Sequence, residues 1–116
     1  MSDKELLELA AKATWYVYRE SPEWHNTGAP QIWDGKDWID WNPLIDDGDA
    51  LRLAVKLKIE LLHSHANESP LWVSAVVKNT TAHGAQNYLN EDQCIAATRH
   101  AIVRAAAAIG KYERGE

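Results

Sequence analysis

The chain has 116 residues, 46% of them hydrophobic and 25% charged, the proportions of an ordinary globular protein rather than a disordered or fibrous one. That length reads as one domain over residues 1–116, able to bury roughly two-thirds of its unfolded surface without disulfides or metal. The net charge of −5 opposes nonspecific binding to DNA, RNA or anionic membranes.

The charge is local. Six acids (Asp34, Asp37, Asp40, Asp46, Asp47, Asp49) and one base (Lys36) lie between Asp34 and Asp49, net −5; the other 17 − 6 = 11 acids and 12 − 1 = 11 bases cancel. The single cysteine, Cys94, excludes an internal disulfide or a CxxC site and suits a reducing compartment. The opening Met-Ser-Asp-Lys-Glu has no signal-peptide core, and no apolar run approaches the ~20 residues of a membrane span, so a cytoplasmic protein is expected.

Ser2 and Glu5 form the pattern of a capping box, and Leu6, Leu9, Ala10 and Ala13 follow at helical spacing, predicting a helix over 3–13. The aromatic, β-branched run Trp15-Tyr16-Val17-Tyr18 predicts a strand over 14–20, stopped by Ser21-Pro22. Residues 21–30 read as loop, with Pro22, Asn26, Gly28 and Pro30. Gln31-Ile32-Trp33 fits a short strand turned by Asp34-Gly35, while Lys36 to Pro43 has no clear assignment.

Asp46 or Asp47 is a good N-cap, and Ala50, Leu51, Ala54, Val55 and Leu57 predict a helix over 47–57. Alternation then predicts an antiparallel pair of strands over 58–64 and 71–78, with 79–90 a polar loop. Asn90 with Gln93 resembles a second capping box. Ile95, Thr98, Ile102, Ala105 and Ile109 predict a last helix with a buried stripe, ending near 109 with Gly110 beyond it. The expected fold is α+β in the order α-β-β-α-β-β-α, a four-stranded antiparallel sheet layered with helices.

Two stretches carry a resemblance. One is Trp41-Asn42-Pro43-Leu44 with Asp46-Asp47-Gly48-Asp49 and Ala50 to Leu57; the other runs from Ala96-Ala97-Thr98-Arg99 to Ile109-Gly110. Together they resemble the phage ABA-sandwich domain family of small phage and prophage proteins, over about residues 33–110. Ile45 departs from the pattern where a small polar residue is common, and Lys58 where glycine often follows the helix. The resemblance implies a helix–sheet–helix sandwich and a phage accessory protein in the host bacterial cytoplasm. It supplies no catalytic residues.

The three aspartates Asp46, Asp47 and Asp49 have the oxygens a divalent cation wants, but their spacing is not that of an EF-hand. Their place at a helix start makes capping and dipole compensation the better account, with Trp41, Asn42 and Pro43 anchoring the turn before it. Upstream, Trp33 and Trp38 interleaved with Asp34, Asp37 and Asp40 form a candidate binding surface, since tryptophan is frequent at interface hot spots. His63-Ser64-His65 is a weak metal signal; His25, His83 and His100 are dispersed. Cys94 falls in a helix first turn and reads as a packed side chain. Arg99, Arg104, Lys111 and Arg114 read as a mostly solvated face of the last helix.

No catalytic or phosphate-binding motif is present, and no cofactor or metal is implied. Together with the local acidic and tryptophan-rich segment, the phage resemblance implies a non-enzymatic factor that binds a host or phage protein. An anti-defence or anti-CRISPR inhibitor would be one version, its acidic surface occupying a site meant for nucleic acid. Two alternatives remain. One is a small-molecule or nucleotide binder with its pocket between the 21–42 loop and the sheet. The other is a virion or oligomer module, as a homodimer through the tryptophan-rich loop or a sheet edge.

Overall fold

The computed structural model describes residues 2–22, 28–65, 67, 69–78 and 80–112; the expectations placed on His25, Asn26 and Arg114 lie outside them. The first helix, α1, is Asp3–Ala13. Its capping box forms: Ser2 Oγ accepts the Glu5 N–H, and the Glu5 carboxylate accepts the Ser2 N–H at 3.0 Å. The helix ends in a Schellman arrangement. Tyr16 N–H donates to Ala11 O and Trp15 N–H to Lys12 O, with Trp15 left-handed (φ 65°) where glycine is usual. This turn uses residues whose propensity favours a strand, so β1 covers only Tyr18–Glu20.

Strands β1, β2 (Pro30–Trp33) and β3 (Trp38–Asp40) make a small antiparallel sheet in that order. Asp34-Gly35 turns β2 into β3. Asp34 Oδ1 accepts the N–H groups of Lys36 and Asp37 at 2.8 and 2.7 Å, and Gly35 takes φ 98°. Helix α2 is Asp47–Leu57 and β4 is Ile59–His63. Between them Lys58 alone makes the turn, left-handed at φ 58°, with its N–H donating to the carbonyls of Ala54 and Val55. Strands β5 (Leu71–Val77) and β6 (His83–Tyr88) complete a second antiparallel sheet, ordered β4-β5-β6. A 3-10 turn at Glu91–Gln93 leads into α3, Cys94–Tyr112.

The chain is α+β, with two three-stranded antiparallel sheets among the described residues in place of the single four-stranded sheet expected. β3 lies in the stretch that resists assignment, and β6 in the stretch that reads as polar loop. Packing explains β6. Its sequence, His-Gly-Ala-Gln-Asn-Tyr, has poor strand propensity, but Gly84 lets the strand approach α3 closely: a Cβ there would overlap the Ala101 carbonyl oxygen. Gly110 does not end α3 either. It lies inside the helix against α1, where a Cβ would overlap the Leu9 carbonyl oxygen. Asn90 makes no side-chain cap; Gln93 Oε1 instead accepts the Leu89 N–H at 2.9 Å.

α3 is buried on opposite sides. Ala97, Ala101 and Ala105 meet Val73, Ala75 and Tyr88 of the larger sheet. Ile102, Val103, Ala106 and Ala107 meet a core built from Leu6, Leu7, Ala10 and Ala11 of α1, Leu53 and Ala54 of α2, and Ile32 and Trp41 from the small-sheet side. A helix buried on two sides needs a wide apolar surface, which its alanines supply at minimal bulk while Arg99, Arg104 and Lys111 fall between the buried positions. Ile95, expected in the buried stripe, is 61% exposed at the helix start. α1 and α2 therefore pack on α3, and among the described residues neither makes the second outer layer of a helix–sheet–helix sandwich on the far face of the larger sheet, where Trp72 and Val76 are half-buried. No described helix is long and apolar enough to cross a membrane.

Lys58 holds its left-handed turn against the Cβ penalty that glycine avoids. Lys58→Gly is expected to raise the urea midpoint of unfolding by the equivalent of about 1 kcal/mol. A lowered midpoint would show that the lysine side chain contributes more than the backbone strain removes.

Candidate functional site

The segment 41–49 is a structural joint. Trp41 is 4% exposed, with its ring edge-to-face against Tyr16 (5.9 Å between centroids) and Tyr18 (6.3 Å), and Pro43 is fully buried. Asn42 organises the turn: its side-chain oxygen accepts the Leu44 N–H at 3.0 Å, and its carbonyl accepts the N–H groups of Ile45 and Asp46.

The aspartates have assigned work. Asp46 Oδ2 accepts the Asp49 N–H at 2.8 Å, which makes it the N-cap of α2. Asp49 accepts the Asn42 N–H at 2.9 Å and the Arg52 guanidinium at 2.8 Å. Asp47 Oδ1 takes the Arg99 guanidinium at 2.6 Å, while Arg99 Nε donates to the Leu44 carbonyl at 2.9 Å. Arg99 is thus no solvated residue: it clamps α3 to this turn. Arg104 likewise donates to the Ala85 carbonyl at 3.0 Å, tying α3 to β6. Their periodic placement on the helix marks both as outward-facing, and only the tertiary fold supplies their acceptors.

Beside the joint is a cleft of about 450 Å³, lined in part by Pro30, Asp40, Trp41, Asp46, Asp49 and Arg52. Its strongest charges answer each other internally. Among the described residues no three His, Cys, Asp or Glu side chains group so as to hold a metal ion. His63 instead faces Thr98, with Nε2 and Oγ1 3.2 Å apart, and Cys94 is half-buried at the start of α3.

The upstream set behaves differently. In the small sheet Arg19 pairs with Gln31, Gln31 with Asp40, and Trp33 with Trp38. Strand alternation puts all five side chains on one face, opposite Tyr18 and Ile32, which point into the core. They form a connected row. Gln31 Nε2 donates to Asp40 Oδ1 at 3.0 Å, Arg19 Nε donates to Gln31 Oε1 at 2.9 Å, and the Arg19 guanidinium lies 4.2 Å from the Trp38 ring centroid. Trp38 is half-buried and meets Trp33 edge-to-face at 5.5 Å; Trp33 is 40% exposed. Asp34 is drawn into its turn, and the two amide donors hold its carboxyl below the usual range. Asp37 is exposed at the hairpin tip. Of the five expected surface residues, the fold therefore leaves Trp33 and Asp37 open, anchors Trp38 and Asp40, and uses Asp34 as a turn former. Arg19 and Gln31 join the face unforeseen, because only the strand register brings them there.

Taken as a class, this is an α+β protein that presents an ordered aromatic and charged face on a short three-stranded sheet. No protein-family model, curated protein or solved structure matches the chain.

Beneath that face, Tyr18 has a half-buried ring and a sealed hydroxyl with no hydrogen-bond partner. Its pKa is pushed up from 10.0 to about 12, first by burial and then by the charges of Glu20 and Glu8. The unfolded phenol ionises first, so the stability that follows from the neutral folded form is complete below pH 10 and is lost as pH rises towards 12. Tyr18→Phe is expected to be neutral or stabilising at pH 7, since it deletes an unpaired hydroxyl, and to lose less stability than the parent above pH 10. Parallel unfolding midpoints for the two proteins across that range would contradict the burial of the hydroxyl.

Proposed function

We propose that this protein is a non-enzymatic binding factor whose contact surface is the outer face of the small sheet. The observation that carries the proposal is the pre-ordered row Asp40–Gln31–Arg19–Trp38 ending on the exposed Trp33. An exposed tryptophan held by an edge-to-face neighbour loses little freedom on binding, and such rigid aromatic anchors dominate interface energetics. Asp37 lies beside it at the hairpin tip, and the surrounding segment from Asp34 to Asp49 holds the whole net charge. The partner that fits is a protein surface carrying lysine or arginine, including one built to hold nucleic acid. The resemblance to phage ABA-sandwich proteins supports a setting in which a phage or prophage factor acts on a host or phage protein in the bacterial cytoplasm, with defence evasion as one form of that action.

Affinity capture from bacterial lysate tests the proposal, using the parent and Trp33→Ala combined with Asp37→Lys. Both residues lie outside the core, so the variant should fold, with an unchanged circular dichroism spectrum. The parent is expected to retain a partner whose recovery falls as salt rises, as exposed complementary charges require. The variant should lose about 2 kcal/mol or more of that binding. A partner held equally by both proteins would move the interface elsewhere.

A further inference from the structure

We infer that the outer edge of β4 is a self-association surface, on which a second copy of this chain adds its own β4 antiparallel about a twofold axis at Leu61. The inference starts from which backbone groups are already paired. Ser64 N–H donates to Trp72 O at 3.0 Å, and the β4–β5 register continues through this pair. In an antiparallel ladder the bonded residues alternate, so Glu60 and Leu62 also direct their N–H and C=O groups towards β5. Ile59, Leu61 and His63 direct theirs outward, where no described residue donates to them or accepts from them.

The remaining edges differ. On β6 the outward groups belong to His83, Ala85 and Asn87, by the same alternation from Val77 N–H to Ala82 O. Arg104 occupies the Ala85 carbonyl at 3.0 Å, and the strand itself is polar. The edges of the small sheet, β1 and β3, are three residues long. β4 has five residues, Ile-Glu-Leu-Leu-His, with no proline, lysine or bulge to blunt the edge and a single formal charge, Glu60, which a partner strand must place away from its own copy. Two exposed leucines lie on its two faces, Leu61 at 38% and Leu62 at 54%, and Leu51 and Ile95 line the groove beside Leu61.

The strand is complementary to itself in one register. Centred on Leu61, every outward residue meets an outward residue: Leu61 faces Leu61 of the second copy, and Ile59 faces His63. Glu60 then faces Leu62. Centring on Glu60 sets two carboxylates directly opposite each other and leaves His63 without a strand partner, and centring on Leu62 does the same to Ile59. Backbone pairing and charge therefore select the same twofold, the isologous geometry commonest in homodimers. The result is one continuous sheet through both copies, with the grooves at Leu51 and Ile95 flanking the seam.

Sedimentation velocity over a dilution series from micromolar to several hundred micromolar tests this, with circular dichroism as the folding control. The parent is expected to move between one and two chain masses. Leu61→Lys opposes two ammonium groups on the axis and should weaken association roughly tenfold or more. Leu61→Pro removes only an outward N–H, tolerated at an edge, and should do the same. Leu62→Lys sets a cation opposite Glu60 of the second copy and should keep the dimer. A parent that stays monomeric at every concentration overturns the inference. So does a dimer that survives both Leu61 substitutions, or one that Leu62→Lys removes while Leu61→Lys leaves it intact.

Discussion

The architecture depends on how closely α3 approaches its neighbours. On one side the helix meets β6 at Gly84, and on another it meets α1 at Gly110; in both places the space of a single Cβ is already filled by a backbone carbonyl of the partner element. Between these two approaches the buried surface of α3 is largely alanine. Small side chains bury little area each, but they let backbones come together, and the packing that results is dense rather than wide. The larger hydrophobic groups, Leu6, Leu7, Leu53 and Trp41, fill the wedge where the elements diverge.

This central helix also explains why the strands divide into two sheets. One sheet packs on the Ala97–Ala101–Ala105 side and the other reaches the core on the opposite side through Ile32. The two cannot share a ladder with α3 between them. The small sheet is then held by the joint at Trp41 to Asp49, which Arg99 fastens to α3 through the Leu44 carbonyl and Asp47. Its inner face is thereby committed to the core, and its outer face, with Arg19, Trp33 and Trp38, is free to be a stable surface. The acidic segment that dominates the charge of the chain divides along the same line. Asp46, Asp47 and Asp49 serve the joint; Asp37 is left to solvent.

Features that are local in sequence were legible. The Ser2–Glu5 box, the Asp46 cap, the Asp34-Gly35 turn and the bounds of α1 and α2 follow from short-range hydrogen bonding and helical spacing, and they recur in the structure. The anchoring role of Trp41 was legible for the same reason. Features set by distant packing were not. Gly84 and Gly110 look like punctuation in a sequence, because glycine commonly marks turns and helix ends; here each marks a close approach of two backbones. β6 is a strand only because α3 and β5 make it one. Trp15 looks like strand and closes a helix. The outer face of the small sheet was half legible: Trp33, Asp37 and Trp38 stood out by composition, whereas Arg19 and Gln31 needed the register of β1 on β2.

Glycine in α3 is required by packing and not merely tolerated. Urea unfolding of Gly110→Ala, beside Gly48→Ala in α2, tests it most directly. At Gly48 an added Cβ meets side-chain atoms only, the flexible end of Arg52 at 3.1 Å and the capping Asp46 Oδ2 at 3.2 Å, so alanine there should change stability by no more than about 1 kcal/mol in either direction. At Gly110 helix propensity favours alanine, but the Leu9 carbonyl forbids it, and a loss of roughly 1–3 kcal/mol is expected as α1 is forced outward. A Gly110→Ala protein at least as stable as its parent would show that the close approach of α3 to α1 does not require glycine.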